Sequence, residues 1–217
     1  MKKLRKIKEL IKNKYIWIIF AIVSIIFIAI AEDVFEKEIF TFDGIIYHFL
    51  LNHRNIVLNN FFKVITNLGS AEFLIPLTII CAIFIKNKKY KIMIPTNLLV
   101  IAGMNLLLKN IFARPRPNEL RLIEETGYSF PSGHAMASTA VYGLLIYILY
   151  KEIKNKKIRN IACTLLAILI FIIDMSRIYV GVHYVSDVIA GTCLSVAYLI
   201  VFIQIAQMKA TKEEDKK

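Results

Sequence analysis

A histidine and an aspartate stand at a spacing that suits nucleophilic catalysis. His183 and Asp187 are four residues apart, so on a helix they share one face, and the carboxylate can hold the far N–H of the imidazole. This contact would fix the tautomer of His183 and raise its nucleophilicity. His134 is a second imidazole, which could protonate a leaving oxygen as a general acid.

Positively charged side chains accompany these histidines and could bind a phosphate. Lys109, Arg116 and Arg177 are fixed cations, and an arginine can neutralise a phosphate through two parallel hydrogen bonds. Ser132 and Gly133 open an apolar run, where free backbone N–H groups and the positive end of a helix dipole would face an anion. Gly133 has no side chain to keep a phosphate oxygen away. The combination predicts an anion site beside a histidine nucleophile.

Each feature also has a plainer interpretation. Asp187 could only stabilise a helix through an i,i+4 pair, and Ser132 could only cap one. Arg114 and Arg121 could only contact lipid headgroups, which is the interpretation we favour for these two. Because the remaining features gather at helix ends on one face, we interpret them as one site.

Long apolar runs must position these residues. Of the 217 residues 57% are hydrophobic, and the charged 20% fall in short blocks between the runs, with a mean hydropathy of +0.59. Soluble domains are usually near half apolar and lack such uninterrupted runs. We therefore predict an all-α membrane bundle.

Six apolar runs, with their flanking residues, approach the thickness of a bilayer and predict six transmembrane helices. They cover residues 15–31, 73–85, 92–108, 135–150, 161–173 and 185–206. Between the first two, residues 45–51 and 56–65 are amphipathic and predict short interfacial helices. The first run could instead be a cleaved signal peptide, but it is long enough to span a bilayer, so we favour an uncleaved helix.

The basic residues predict an orientation. The N-terminal tail, residues 86–91, residues 151–159 and the tail from residue 209 together hold 20 of the 28 Lys and Arg. Since cytoplasmic connections carry the excess of Lys and Arg, we predict that both termini are cytoplasmic. The candidate site then lies on the non-cytoplasmic face of the cell membrane.

We treat residues 1–217 as a single integral membrane domain. Its parts are a basic tail at 1–14, a motif-bearing region at 109–191 and a second tail at 208–217.

The net charge is +12, and the basic residues lie between the apolar runs, which favours contact with a lipid bilayer and argues against nucleic acid. The three cysteines lie inside apolar runs without CxxC spacing, so they predict no metal site or disulfide. The oligomeric state is not indicated.

At these residues the sequence resembles the type 2 phosphatidic acid phosphatase family. The family pattern is K-x6-R-P, then P-S-G-H, then S-R-x5-H-x3-D. The chain matches every position, with Lys109, Arg116-Pro117, Pro131-Ser132-Gly133-His134, Ser176-Arg177, His183 and Asp187. Three motifs in this order are far more specific than any one of them.

The resemblance implies a role for each matching residue. His183 would become phosphorylated, Asp187 would orient it, His134 would protonate the departing lipid oxygen, and water would hydrolyse the phospho-histidine. The phosphoryl oxygens would be stabilised by the amides of Ser132 and Gly133 and by Lys109, Arg116 and Arg177. These cations would take the place that Mg²⁺ often holds in phosphoryl transfer. No carboxylate cluster suited to Mg²⁺ accompanies the motifs, so we predict a metal-independent phosphatase without a cofactor.

The motifs recognise the phosphate and leave the lipid open. We favour undecaprenyl pyrophosphate, hydrolysed to undecaprenyl phosphate, because the small chain and the outward site resemble bacterial family members with that activity. Phosphatidylglycerophosphate or phosphatidate is the alternative. A lipid phosphotransferase, or a non-catalytic lipid-binding or transport protein, is the alternative of another class. We favour the phosphatase, because a transferase would need a second polar acceptor site near His183 and nothing marks one, and because a non-catalytic protein would be expected to have lost a motif residue and none is missing.

Four acidic residues have no assigned role. Asp174 directly follows the fifth apolar run, close to Ser176 and Arg177, and could serve the site or a transport path. Glu119, Glu124 and Glu125 lie between the first two motifs and could line the mouth of the site. We favour the interpretation that these three face water.

Overall fold

The computed structural model describes residues 14–37, 40–117 and 121–214, with side chains described as far as residue 208. Within these residues every regular element is a helix, so the predicted all-α fold is confirmed. The helices are α1 (Lys14–Phe35), α2 (Thr41–Asn52), α3 (Ile56–Asn67), α4 (Ala71–Phe84), α5 (Lys88–Phe112), α6 (Gly133–Glu152), α7 (Lys156–Tyr179) and α8 (Val185–Glu214). The predicted terminal tails fall largely outside the described residues.

Asparagine caps begin the two helices that follow the short connections at one end of the bundle. Asn87 begins α5 and Asn155 begins α7. Each accepts, through Oδ1, the backbone N–H of the second helical residue at 3.0 Å. These caps satisfy amides that the first turn of a helix leaves unpaired. Tight connections of this kind make α4 and α5, and likewise α6 and α7, adjacent antiparallel helices.

Five helices, α1, α5, α6, α7 and α8, are long and apolar enough to cross a bilayer. Helices α3 and α4 have 12 and 14 residues, and at 1.5 Å per residue each would reach only about 20 Å. The two helices meet at a bend of 47°, and together they are long and apolar enough to cross a bilayer. The described residues therefore contain five candidate spans, or six if the bent pair is one span.

Helix α6 is the centre of the bundle. Half of its most apolar 18-residue window is buried, compared with 17% in α1, and it packs against α5, α7 and α8. One core cluster joins Leu74 of α4, Val141 and Tyr142 of α6, and Ile173 of α7. Many apolar side chains of the outer helices point away from the protein, as expected where the surroundings are lipid. The start of α6, which carries the second motif, is thus held from several sides.

The bend between α3 and α4 is fixed against α6 and α7. The Tyr142 hydroxyl donates to the backbone carbonyl of Leu68 at 2.7 Å. A Cβ atom added at Gly69 would lie 2.7 Å from Cγ2 of Ile173 and 3.2 Å from Cδ2 of His134. Glycine is needed here because two neighbouring helices approach its backbone this closely.

Candidate active site

His183 lies in the turn between α7 and α8, with 1% of its side chain exposed. Its Nδ1 is 3.3 Å from Oδ2 of Asp187, and its Nε2 is 3.1 Å from Nη1 of Arg116. An arginine can only donate, so Nε2 accepts from Arg116 and Nδ1 carries the proton toward Asp187. This tautomer places the lone pair on Nε2, where it accepts from Arg116, and that hydrogen bond must break before Nε2 can attack phosphorus.

The surroundings of His183 keep the ring neutral. Burial is the largest cause, and the positive charges of Arg177, Arg116 and Lys109 add to it, so the pKa of His183 falls well below its usual value. Both causes disfavour the charged imidazolium. A neutral imidazole at physiological pH is the form that can act as a nucleophile.

A buried arginine fixes Asp187 from its other side. Asp187 is fully buried, and its Oδ1 accepts from Nη1 of Arg114 at 2.6 Å. Nη2 of Arg114 reaches Oδ2 of Asp43 at 3.1 Å, and the guanidinium lies 4.3 Å from the centre of the Tyr184 ring. The expectation that Arg114 only contacts lipid headgroups is therefore wrong, because this side chain joins two buried carboxylates.

Asp43 is the residue of this group that the sequence analysis did not assign. It lies in the first turn of α2 and is 3% exposed. Its two carboxylate oxygens accept from the backbone N–H of Ser186 at 2.8 Å and from the Ser186 hydroxyl. Asp43 thereby ties α2 to the start of α8. No spacing rule links residues this far apart along the chain, although an acidic residue within an amphipathic helix is a weak signal of such a contact.

Arg177 presents one donor that no described residue satisfies, and Lys109 lies close to it. Arg177 is 1% exposed, its Nη1 donates to the Thr66 hydroxyl at 2.6 Å, and its Nε has no hydrogen-bond partner among the described residues. The Lys109 ammonium is near enough to Arg116 and Arg177 for their charges to act on it. An unpaired buried donor costs about 1–3 kcal/mol, and an anion bound here would remove that cost.

Arg116 is held mainly by backbone carbonyls. Its Nε donates to Gly127 O at 3.1 Å, its Nη2 to Thr126 O at 3.1 Å and its Nη1 to Val182 O at 3.0 Å. Burial lowers the pKa of Arg116, but a guanidinium keeps its charge in proteins. In this structure Arg116 therefore fixes the loop before α6 and the turn that carries His183. Its role as a phosphate ligand stays a prediction.

Glu125 contacts both arginines. Oε1 of Glu125 lies 2.5 Å from Nη2 of Arg177, and its Oε2 lies 3.5 Å from Nη2 of Arg116. The expectation that this residue merely faces water is therefore wrong. Glu124 is exposed as expected, and Glu119 lies outside the described residues.

The start of α6 differs in detail from the expected arrangement. The Ser132 amide donates to the backbone carbonyl of Asp187 at 3.1 Å, and its hydroxyl caps the helix by accepting from Ala135 N at 3.4 Å. A Cβ atom at Gly133 would lie 2.9 Å from Oδ1 of Asn105, so packing on α5 accounts for this glycine. Phosphate binding by Ser132 and Gly133 stays a prediction.

His134 follows in the first turn of α6. It is near enough to Arg177, His183 and Lys109 for their charges to act on it. The predicted acid and the predicted nucleophile therefore belong to one centre. Asp174 instead faces α8, where Oδ2 accepts from the Thr192 hydroxyl at 2.7 Å.

A cavity of about 370 Å³ adjoins Arg114 on the side of α1 and α5. Its lining is mostly apolar in area and includes Val34, Lys37, Gly44, Phe112, Pro115 and Tyr184. Among the described residues, no three His, Cys, Asp or Glu side chains come together as a metal site would require. Positive charge around His183 is supplied by the side chains of Arg177, Arg116 and Lys109.

We expect Gly69→Ala to lower kcat/KM about 10- to 100-fold, because the new methyl group would push against the His134 ring and small displacements of catalytic groups are costly. Phosphate release and the unfolding temperature of the purified variant test this. Gly103→Ala is the matched control, since a Cβ atom there meets nothing within 4 Å. Equal kcat/KM in both variants would contradict the expectation.

Comparisons with known proteins agree with this geometry. The PAP2 superfamily profile matches residues 90–210. The chain is 35% identical over 156 residues to phosphatidylglycerophosphatase B of Bacillus subtilis, covering 67% of this chain and 73% of that protein. It is 31% identical over 164 residues to an undecaprenyl-diphosphatase of Sulfolobus acidocaldarius, covering 72% and 75%. A crystal structure of a transmembrane PAP2-type phosphatidylglycerolphosphate phosphatase from Bacillus subtilis superposes with a TM-score of 0.77 at 27% identity, covering 90% and 96%.

Proposed function

The chain belongs to the PAP2 superfamily and is a multi-pass membrane lipid phosphatase, and we propose that it removes the terminal phosphate of phosphatidylglycerophosphate through a phospho-histidine at His183. The observation that carries this proposal is the group of cations beside a neutral His183, namely Lys109, Arg116 and Arg177, of which Arg177 has an Nε donor with no partner among the described residues. A neutral nucleophile next to buried positive charge is what transfer of a phosphoryl dianion requires.

In the first step Nε2 of His183 attacks phosphorus in line with the leaving oxygen. The N–P bond forms while the P–O bond to the lipid breaks, and His134 gives its proton to the departing lipid oxygen. The phosphate dianion itself favours the protonated form of His134 when the substrate is bound. Asp187 accepts from Nδ1–H and stabilises the positive charge that develops on the His183 ring.

In the second step water resolves the phospho-histidine. His134, now neutral, takes a proton from a water molecule whose oxygen attacks phosphorus. The N–P bond breaks, its electron pair returns to Nε2 of His183, and inorganic phosphate leaves. Both steps use the same residues in reversed acid and base roles, as a symmetric two-step transfer requires.

The charges near His183 suit a dianion. Lys109, Arg116 and Arg177 supply three positive charges, and Glu125 is the carboxylate in contact with two of them. Asp187, on the far side of the ring, is balanced by Arg114. These cations support turnover without a metal ion, which we propose as a property of the enzyme.

We assign the lipid substrate from the similarity of this chain to proteins whose names state their activity. The sequence analysis favours undecaprenyl pyrophosphate, and the relative at 31% identity that carries this activity in its name supports it. The relative at 35% identity and the superposed crystal structure both act on phosphatidylglycerophosphate by name, so we now place this substrate first and undecaprenyl pyrophosphate second.

We also propose the predicted topology for residues 1–217. Both termini are cytoplasmic and the site opens on the non-cytoplasmic face, because most Lys and Arg lie in the alternate connections and tails. The motif-bearing residues 109–191 form the catalytic part. A non-catalytic lipid-binding or transport protein has less support, since every family motif residue is present. A phosphotransferase has less support because nothing in the sequence marks a second polar acceptor site near His183.

Phosphate release by the detergent-purified protein, in excess EDTA, tests this proposal. We expect a higher kcat/KM for phosphatidylglycerophosphate than for undecaprenyl pyrophosphate, no loss of rate with EDTA, and no release by His183→Ala. The reverse order of kcat/KM would assign the enzyme to undecaprenyl pyrophosphate. Inactivation by EDTA would refute turnover without a metal. A folded protein that hydrolyses neither lipid would refute the phosphatase assignment.

A further inference from the structure

We propose that Glu125 sets the affinity of the phosphate site, by holding the place of the phosphate between Arg116 and Arg177 in the empty enzyme. The substrate displaces this carboxylate, and its return helps to release inorganic phosphate. The inference rests on the proposed function, because the two arginines are taken as ligands of the transferred group.

The contacts of Glu125 are those expected of a bound anion. One carboxylate oxygen lies 2.5 Å from Nη2 of Arg177 and the other 3.5 Å from Nη2 of Arg116. Carboxylate and phosphate offer arginine the same arrangement of two oxygens. A phosphate that used the same Nη2 donors of both arginines could not bind while Glu125 stayed in place.

The hydrogen bonds of Arg116 show which contact can be exchanged. A guanidinium has five N–H donors, and those of Arg116 go to the carbonyls of Thr126, Gly127 and Val182, to Nε2 of His183 and toward Glu125. The contact with Glu125 is the longest of the five. It is therefore the one that a phosphate would replace at least cost.

The two partners differ in their freedom to move. Arg177 has 1% of its side chain exposed, whereas Glu125 has 26%. The residues on either side of Glu125, Glu124 and Thr126, are exposed, and Gly127 follows with a positive φ of 71°. The carboxylate can thus leave toward water while Arg177 stays in the site.

The consequence for the reaction follows from competition. A carboxylate that must be displaced weakens the binding of substrate and product phosphate by the same factor. A membrane-confined lipid substrate tolerates this loss because its local concentration is high, whereas inorganic phosphate leaves more easily. Because Glu125 competes only with binding, it raises KM and leaves the contacts made in the transition state unchanged.

The test compares Glu125→Gln with Glu124→Gln, the adjacent exposed position with the same change of charge. Two quantities are measured on the full-length protein in detergent: the Kd of radiolabelled inorganic phosphate by equilibrium dialysis, and kinetics followed by the lipid product. For Glu125→Gln we expect the phosphate Kd and the KM to fall about tenfold or more, since one charge-assisted competitor is lost, with no rise in kcat. Glu124→Gln should match the wild type.

Opposite results would overturn the inference. A phosphate Kd that is unchanged or higher in Glu125→Gln would mean that the carboxylate only holds Arg177 in position. Glu125→Ala, expected to change Kd in the same direction, replaces the glutamine variant if that protein does not fold. A lower Kd without hydrolysis of either lipid by the wild type would sustain this inference and refute the proposed function. Normal hydrolysis by the wild type, together with an unchanged phosphate Kd in Glu125→Gln, would refute this inference and sustain the proposed function.

Discussion

Replacing His183 with alanine is expected to lower kcat by about 10⁴-fold or more, because the atom that would form the covalent bond to phosphorus is removed. The cations beside it remain, so substrate should still bind, and KM should change far less than kcat. The rate of phosphate release and the binding of inorganic phosphate, measured on the same preparation, separate these two effects. His53→Ala is the matched control, because His53 is an exposed histidine just after α2 whose ring hydrogen-bonds to Phe49 O and packs on the Phe49 ring.

The same variant tests the covalent intermediate. Wild-type enzyme quenched during turnover of ³²P-labelled lipid should carry label that is lost in acid and retained in base, as a phosphorus–nitrogen bond requires. His183→Ala should carry none. Label that survives in the variant would place the covalent bond on another residue, and full activity without any label would support direct attack by water.

The residues that carry the chemistry could be predicted because each lies at or near the end of an apolar run, and the run determines the side of the membrane on which the residue is found. Lys109 lies in the last turn of one span, His134 in the first turn of the next, Arg177 in the last turn of α7, and His183 in the turn that follows. Alternate helix ends share one side of the membrane, so these residues meet whatever the details of packing. The structure places these motif residues around His183.

The residues to which the sequence analysis assigned no role make contacts over long stretches of chain. Asp43 meets Ser186 143 positions away, Thr66 meets Arg177 across 111, and Glu125 meets Arg177 across 52. Each comes from a connecting segment or a short helix, where no periodicity fixes the direction of a side chain. Such contacts depend on how α2, α3 and the loop before α6 pack on the bundle.

Apolar runs are shorter than the helices that contain them for a related reason. The run at 161–173 lies inside α7, which extends from Lys156 to Tyr179. Its last turns carry Asp174 and Arg177, polar residues that turn inward between helices and so avoid the lipid. Hydropathy marks the lipid-facing part of a helix and misses the part that enters a polar centre.

Asp187→Asn is expected to lower kcat by about 10³- to 10⁴-fold while leaving KM nearly unchanged, as loss of the carboxylate partner of a catalytic histidine does elsewhere. The asparagine can still touch Nδ1 of His183, but it no longer stabilises the positive charge that develops on the ring. It also removes one partner of Arg114, whose Nη1 lies 2.6 Å from Oδ1 of Asp187. Steady-state kinetics on the two candidate lipids measure the effect.

Variants along the chain of contacts that ends at His183 distinguish catalysis from folding. Asp43 lies one ion pair further from His183 than Asp187 does. We therefore expect Asp43→Asn to lower kcat by only about tenfold, because Arg114 keeps its contact with Asp187. Arg114→Ala would leave Asp43 and Asp187 as buried carboxylates without their cation, and should destabilise the protein by about 3–5 kcal/mol. If Asp187→Asn instead loses stability and keeps its kcat, the aspartate serves the fold. A fall in kcat that grows from Asp43 to Asp187, with the unfolding temperature preserved, would establish that these carboxylates act through the histidine.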